Sequence, residues 1–587
     1  MNRLRRVINN AIISFLGQAV NWTSTLLLTI AYGHFLGAFK FGELYFAVNF
    51  IALIGFPVNS GFDRQTIRDV AQKPEKAAAY LSNMLLIRLG TWFIIYALVL
   101  LASWLLGYSP GVRILVAICG FDLLCNALAS TFASQHYALE RAIFPVVGNI
   151  LEKGLSALIG ILLLSAGAGV QTMAAVLVIG SLINGVWQAV WFFRLVRAKF
   201  AVDLALIRII VRKNIPFFIN GMLLTSYASI DTVLLSLMTN SAVVGWYGAA
   251  NRLFDTMSFL PAIVITTIMS PIFSKLSLVS DADLKLAAEK SVNFLLFCGI
   301  PIATAMIVAA PNIIRFLYER NEFVHSIPVL QAVAPGVVFA YVSYALSSII
   351  LSKKQDRKLP IISAIALAFN LGLNFILILL YQHIGAAIAS TLTEVLICCI
   401  FVVFIPRNLL PFGSLRVALK ALIASLVMAL AILPLHTLHI FIILPIAMLV
   451  YVGVSVLIGV IPREDYQAVY RAIRQKAQPT SSRSTNDLAE NPQPPYYAGV
   501  LLEDGLAITV KLPTNRRQSM QQISLAQLGQ IVPMNEENSS NLEDGLAITV
   551  KLPTNRRQSM QQISLAQLGQ IVPINEEKSS NNGGIVG

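Results

Sequence analysis

Charge is scarce in this chain: lysine, arginine, aspartate and glutamate together make up 12% of its 587 residues, against about 25% in an ordinary soluble domain. Hydrophobic residues make up 56%, so a water-soluble fold is excluded and an integral membrane protein is expected. Cysteine is also rare. The five, Cys119, Cys125, Cys298, Cys398 and Cys399, all fall in apolar segments without metal-ligand spacing to histidine, which excludes a zinc or disulfide framework and reads them as small core hydrophobes. The six histidines lie at the ends of apolar runs or in loops, and no Gly-rich phosphate loop or zinc-ligand pair is present. No cofactor, metal or catalytic constellation is therefore expected. A cleavage site is missing too: MNRLRR at Met1–Arg6 runs straight into a long apolar stretch, which predicts a retained first span rather than a removed signal.

What is there is length. A spanning helix needs about 20 mostly apolar residues, and fourteen stretches qualify: 9–35, 42–61, 81–106, 112–133, 143–165, 171–193, 215–237, 244–270, 291–310, 329–351, 360–380, 384–405, 416–434 and 440–461. With the amino terminus placed in the cytoplasm, twenty-seven lysines and arginines fall in the inner segments and four, Lys40, Arg113, Arg315 and Arg320, in the outer loops. That alternation fixes both termini as cytoplasmic. It also accounts for the net charge of +14, so nucleic acid is not expected as a partner, and anionic membrane lipid is. The longest outer loop, Pro311 to Pro328, is too short for a soluble catalytic domain.

The two halves echo each other. GELYFA at Gly42–Ala47 opens the second span and GWYGAA at Gly245–Ala250 opens the eighth, a shift of 203 residues. YALERAIFP at Tyr137–Pro145 likewise parallels SKKQDRKLP at Ser352–Pro360. The fold class expected is an all-α polytopic membrane protein of two repeated six-helix lobes, 1–193 and 215–405. An amphipathic linker at 194–214 joins them, and two additional helices follow at 406–461. From 462 to 587 the composition turns to Gln, Ser, Asn and Pro, which predicts a mostly disordered cytoplasmic tail. Within it 501–540 and 541–580 are the same forty residues apart from three positions, each with a strand-like LAITVKL run. An accessory appendage and a partner-docking element are both compatible with that.

Ionisable groups inside hydrocarbon cost roughly 2.5–3.5 kcal/mol each on insertion scales, so they face polar cavities or one another. Arg88, Asp122, Glu152, Lys153, Arg252, Asp255 and Glu394 fall near the middle of their spans, and Asp231 nearer the outer side. Arg88, Lys153 and Arg252 are the candidates for holding an anionic substrate, because guanidinium and ammonium bind phosphate strongly where water is thinned out. Asp122, Glu152, Asp231, Asp255 and Glu394 are the candidates for ion coupling. Arg252 and Asp255, three residues apart, can also simply pair. The spans hold several asparagines, among them Asn149, Asn370 and Asn374, which read as interhelical glue with no specific task.

LGAFKFGELYFA at Leu36–Ala47 and GFDRQTIRDVA at Gly61–Ala71 resemble the opening of Wzx-type polysaccharide-biosynthesis flippases, in the multidrug/oligosaccharidyl-lipid/polysaccharide (MOP) exporter superfamily. The stretches Val243–Ser277, Phe316–Val342 and Gly385–Leu396 resemble that family's second lobe, and the resemblance covers 1 to about 461. It implies two lobes in a V and alternating access. It also implies a cationic lumen that accepts the pyrophosphate and sugars of a polyprenyl-linked oligosaccharide in a bacterial plasma membrane, with other polysaccharide-assembly proteins as neighbours. Arg68 matches a basic position of that family after the second span. Arg64 and Arg68 thus read either as first contacts for a pyrophosphate at the cytoplasmic mouth or as ordinary topology signals. The alternatives left open are an ion-coupled drug antiporter on the same fold, a membrane-embedded polymerase or ligase, and a receptor whose repeated tail does the work.

Overall fold

The structure, a computed structural model, describes residues 3–59, 61–196, 202–435, 437–460, 497–501, 507–511 and 548–551. The chain divides into a membrane unit, Met1–Ala468, and a second unit, Val469–Gly587.

The described residues of the membrane unit form helices joined by short connections. In order it contains α1 (Arg3–Asn59), α2 (Phe62–Gln72), α3 (Ala77–Leu105), α4 (Pro110–Ala138), α5 (Ile143–Ser165) and α6 (Val170–Leu195). There follow α7 (Leu204–Met238), α8 (Ser241–Met257), α9 (Phe259–Ile263), α10 (Ser270–Val279) and α11 (Asp281–Val308). The last are α12 (Ala310–Tyr318), α13 (Ser326–Ser352), α14 (Lys358–Phe404), α15 (Ser414–Ile432) and α16 (Ile440–Ile458). Side chains cap the ends where the sequence supplies them: Asp203 accepts from Ala205 and Leu206 N–H at α7, and Asn240 from Ala242 and Val243 N–H at α8.

Among the described residues eleven helices are long and apolar enough to cross a membrane, and they supply thirteen of the fourteen expected spans. The backbone of α1 breaks at Gly37 and that of α14 at Gln382. Leu28 and Val48 line one cavity, although twenty residues of straight helix would separate them by about 30 Å, so α1 is folded back on itself. In α14 a Cβ on Gly385 would lie 2.0 Å from the Leu377 carbonyl oxygen, where eight residues of straight helix rise about 12 Å. The remaining span, expected at 244–270, is broken into α8, α9, a π-helical stretch Val264–Met269 and α10.

Leu204–Asn214 does not form a separate linker helix: these residues are the first three turns of α7 and run unbroken into the seventh span. Within the first half α4 packs on α6 and α1 on α5; within the second α13 packs on α14 and α11, and α15 on α11. The halves meet where α1 packs against α7 and α8. Leu457, Leu449 and Val403 are more than 70% exposed, as befits side chains whose solvent is lipid.

In the second unit three antiparallel strands are described, β1 (Tyr497–Leu501), β2 (Ala507–Lys511) and β3 (Ile548–Lys551), paired in the order β1-β2-β3. β2 lies within the expected LAITVKL run and β3 within its repeat copy. The rest of the tail lies outside the described residues.

Candidate functional site

Five helices enclose a cavity of about 180 Å³. α1 contributes Ser24, Thr29 and Tyr32 from one arm and Tyr45 from the other; α4 contributes Asp122, α5 Glu152 and Lys153, and α8 Arg252. Four of the ten sequence candidates therefore converge, and the two cations come from opposite halves of the chain.

Each charge is held. Lys153 Nζ lies 2.5 Å from Glu152 Oε1, while Glu152 Oε2 accepts from Asn184 Nδ2 at 2.7 Å. Asp122 Oδ1 accepts from the Ser181 hydroxyl at 2.6 Å. Arg252 stacks over the Tyr45 ring at 5.7 Å, and its Nη1 is 3.8 Å from Asp255 Oδ2. That last pair is long and both side chains are about a third or more exposed, so it is weak.

Glu152 is shared with a second cavity, of about 270 Å³, between α2, α4, α5 and α6. Asp63, Asn126, Asn149, Asn184 and Gln188 line it.

Arg88, expected in the cationic lumen on depth alone, lines neither cavity. Its side chain is wholly buried between α3 and α4. There Nη2 donates to Asp63 Oδ1 at 2.9 Å and Nη1 to the Thr131 hydroxyl at 2.8 Å, with the Ala127 carbonyl and Ser130 hydroxyl as further acceptors. With both Nη groups engaged and the side chain wholly buried, this guanidinium ties α3 to α2 and α4.

Two of the acids belong to a separate cluster in the second half. Asp231 on α7 is buried and accepts from Tyr247 at 3.1 Å, from Asn374 Nδ2 at 2.7 Å and from Ser390. Glu394 accepts from the Tyr227 hydroxyl at 2.8 Å. Asn374 also donates to Asn370 Oδ1 at 3.0 Å, so both asparagines bind a buried acid's cluster rather than merely joining helices.

Arg68 is exposed on α2, 3.6 Å from Asp69. Asp69 also faces Lys213 at 3.8 Å and the Tyr80 hydroxyl at 3.1 Å. The side chain of Arg64 lies outside the described residues.

The sequence of residues 7–277 matches the family model described as "Polysaccharide biosynthesis protein". A stretch of 175 residues is 26% identical to the probable lipid II flippase MurJ of Vibrio cholerae serotype O1, covering 28% of this chain and 33% of that protein. The alignment thus spans about a third of the curated relative's length. In three dimensions the chain is similar to a solved structure of the lipid II flippase MurJ in an inward closed conformation. That match has a TM-score of 0.61 and 17% identity, over 77% of this chain and 98% of that one. It is also similar to an inward-facing multidrug resistance MATE family transporter of the MOP superfamily, at TM-score 0.55 and 14% identity, over 67% and 97%. At those identities the likeness speaks for the fold. Residues 7–277 are thus similar to polysaccharide biosynthesis proteins, and the chain is a polytopic all-α membrane protein whose fold is similar to those of the MurJ and MATE structures.

Proposed function

We propose that the protein is a flippase that carries a polyprenyl-pyrophosphate-linked oligosaccharide across a bacterial plasma membrane, from the cytoplasmic to the outer face, for surface polysaccharide biosynthesis. The carrying observation is the convergence of Lys153 and Arg252, one from each half of the chain, on one cavity. A diphosphate bridging them would exchange the weak Arg252–Asp255 contact for bidentate, charge-assisted hydrogen bonds. It would also draw α5 and α8 together, which is the coupling that alternating access requires. The isoprenoid tail needs no protein site, since the bilayer dissolves it. The basic bias of the inner segments supports cytoplasmic termini and makes Arg64 and Arg68 first contacts at the cytoplasmic mouth. Asp122, Glu152, Asp231, Asp255 and Glu394 are the groups we assign to coupling by protons or cations.

A second reading, an ion-coupled drug antiporter, is favoured by one observation: Asp122 and Glu152 line the same cavity as the cations. Binding of a short-chain polyprenyl pyrophosphate and of a lipophilic cation to the detergent-solubilised protein separates the two. The flippase reading expects the pyrophosphate to bind and Arg252→Ala to weaken it at least tenfold; binding of the cation alone favours the antiporter.

A further inference from the structure

The second cavity, beyond Glu152, has a wall unlike the first. Its twelve lining residues include no lysine, arginine or histidine. Two carboxylates, Asp63 and Glu152, and four amides, Asn126, Asn149, Asn184 and Gln188, face it, with hydroxyls from Ser130, Ser134 and Tyr137. At about 270 Å³ it lies at the lower edge of small-molecule sites.

Both carboxylates already have a cation: Arg88 holds Asp63 at 2.9 Å, and Lys153 holds Glu152 at 2.5 Å. The wall is thus close to neutral while still presenting carboxylate and amide oxygens and amide N–H groups. Gln188 is wholly buried and its Oε1 accepts no hydrogen bond, although an unpartnered buried acceptor is expensive to leave in place. It wants a hydroxyl or amide donor. A dense, paired array of acceptors and donors without net charge suits a ligand with many hydroxyls. It does not suit a phosphate, which needs cations, or a free cation, which needs unpaired carboxylates.

We infer that this cavity is a sugar subsite that takes one neutral or N-acetylated pyranose of the substrate and rejects uronic and other acidic sugars. This rests on the flippase reading: the pyrophosphate occupies the Lys153–Arg252 cavity, and Glu152, common to both cavities, marks where phosphate gives way to sugar. An acidic sugar there would find no free cation, since Arg88 and Lys153 are already paired with Asp63 and Glu152, and an unpaired carboxylate in a buried site is the kind of mismatch by which sites exclude wrong partners.

The test is saturation-transfer NMR on the detergent-solubilised full chain, with methyl β-N-acetylglucosaminide and methyl β-glucuronide as probes and inorganic pyrophosphate binding as a separate measurement. The neutral glycoside should receive saturation and the glucuronide at least tenfold less. Gln188→Ala should weaken the neutral signal. Ala133→Leu, which fills the cavity without removing a polar group, should abolish it. Both variants should keep wild-type pyrophosphate binding, which also reports that they are folded. Equal saturation of the two glycosides, none of either, or a neutral signal unaffected by Ala133→Leu overturns the subsite. Loss of pyrophosphate binding in Arg252→Ala with sugar binding intact is expected; absence of pyrophosphate binding in the unmodified chain, with sugar bound, sinks the flippase reading and leaves the sugar site standing.

Discussion

Gly42 and Gly245 each pack against the other's helix. A Cβ on Gly42 would lie 1.8 Å from the Ser241 carbonyl oxygen, and one on Gly245 2.0 Å from the Ala38 carbonyl oxygen. Ser241 is Ala38 moved along by 203 residues, the same shift that relates the two glycines. The contact is therefore reciprocal, as at an interface between copies related by a two-fold axis, and the repeat seen in the sequence is a repeat of packing. Arg320 Nη2 adds a hydrogen bond to the Phe35 carbonyl at 3.2 Å and Glu322 accepts from Ala38 N–H at 3.0 Å, which seats the loop after α12 on the same junction.

Backbone cannot give way to an added methyl as a flexible side chain can. Gly42→Ala or Gly245→Ala is expected to destabilise the chain by about 1–3 kcal/mol, the usual range for overpacking, read as a lowered thermal midpoint in detergent. An unchanged midpoint would mean that the two helices are not held at this distance.

Arg88, buried among helices and outside both cavities, is expected to act on stability. Arg88→Ala removes one partner of a buried pair and should cost roughly 3 kcal/mol, the low end of that class, because Asp63 keeps 35% of its side chain accessible. The double variant Arg88→Met/Asp63→Ala should recover most of the loss. Full stability of Arg88→Ala together with lost pyrophosphate binding would return Arg88 to the lumen.

Asp231 carries the coupling prediction. Asp231→Asn keeps the size of the side chain but removes the charge that three donors converge on. Transport in vesicles should continue at a reduced rate and no longer respond to an imposed proton or sodium gradient. Gradient dependence equal to that of the unmodified chain would remove Asp231 from the coupling path.

Every residue lining the two cavities lies within the membrane unit, Met1–Ala468. Truncation after residue 476 should therefore leave vesicle transport at the full-length rate; loss of transport by a normally inserted truncation would make the repeated tail part of the machine.

Span number and the two-fold plan were legible in the sequence because a bilayer demands about 20 apolar residues per crossing and leaves few other ways to arrange them. The break in the eighth span was not: Pro261 and the π-helical Val264–Met269 interrupt a run that remains apolar throughout. Depth also misled. Arg88 and Lys153 both sit near mid-span, but position along a helix says nothing of which face a side chain takes, and one faces α4 while the other faces a cavity. The amide-lined cavity has a signal in the sequence. Asn149 and Glu152 are three apart on α5, and Asn184 and Gln188 four apart on α6, which places polar groups on one face of each apolar helix.

The most direct measurement is translocation of a fluorescent polyprenyl-pyrophosphate oligosaccharide in vesicles holding the full chain, followed by quenching of label on one leaflet. Expected are transfer by the unmodified protein, loss of at least tenfold in Arg252→Ala and in Lys153→Ala, and partial recovery in Arg252→Lys. Transfer at the unmodified rate in both alanine variants would contradict the proposed function.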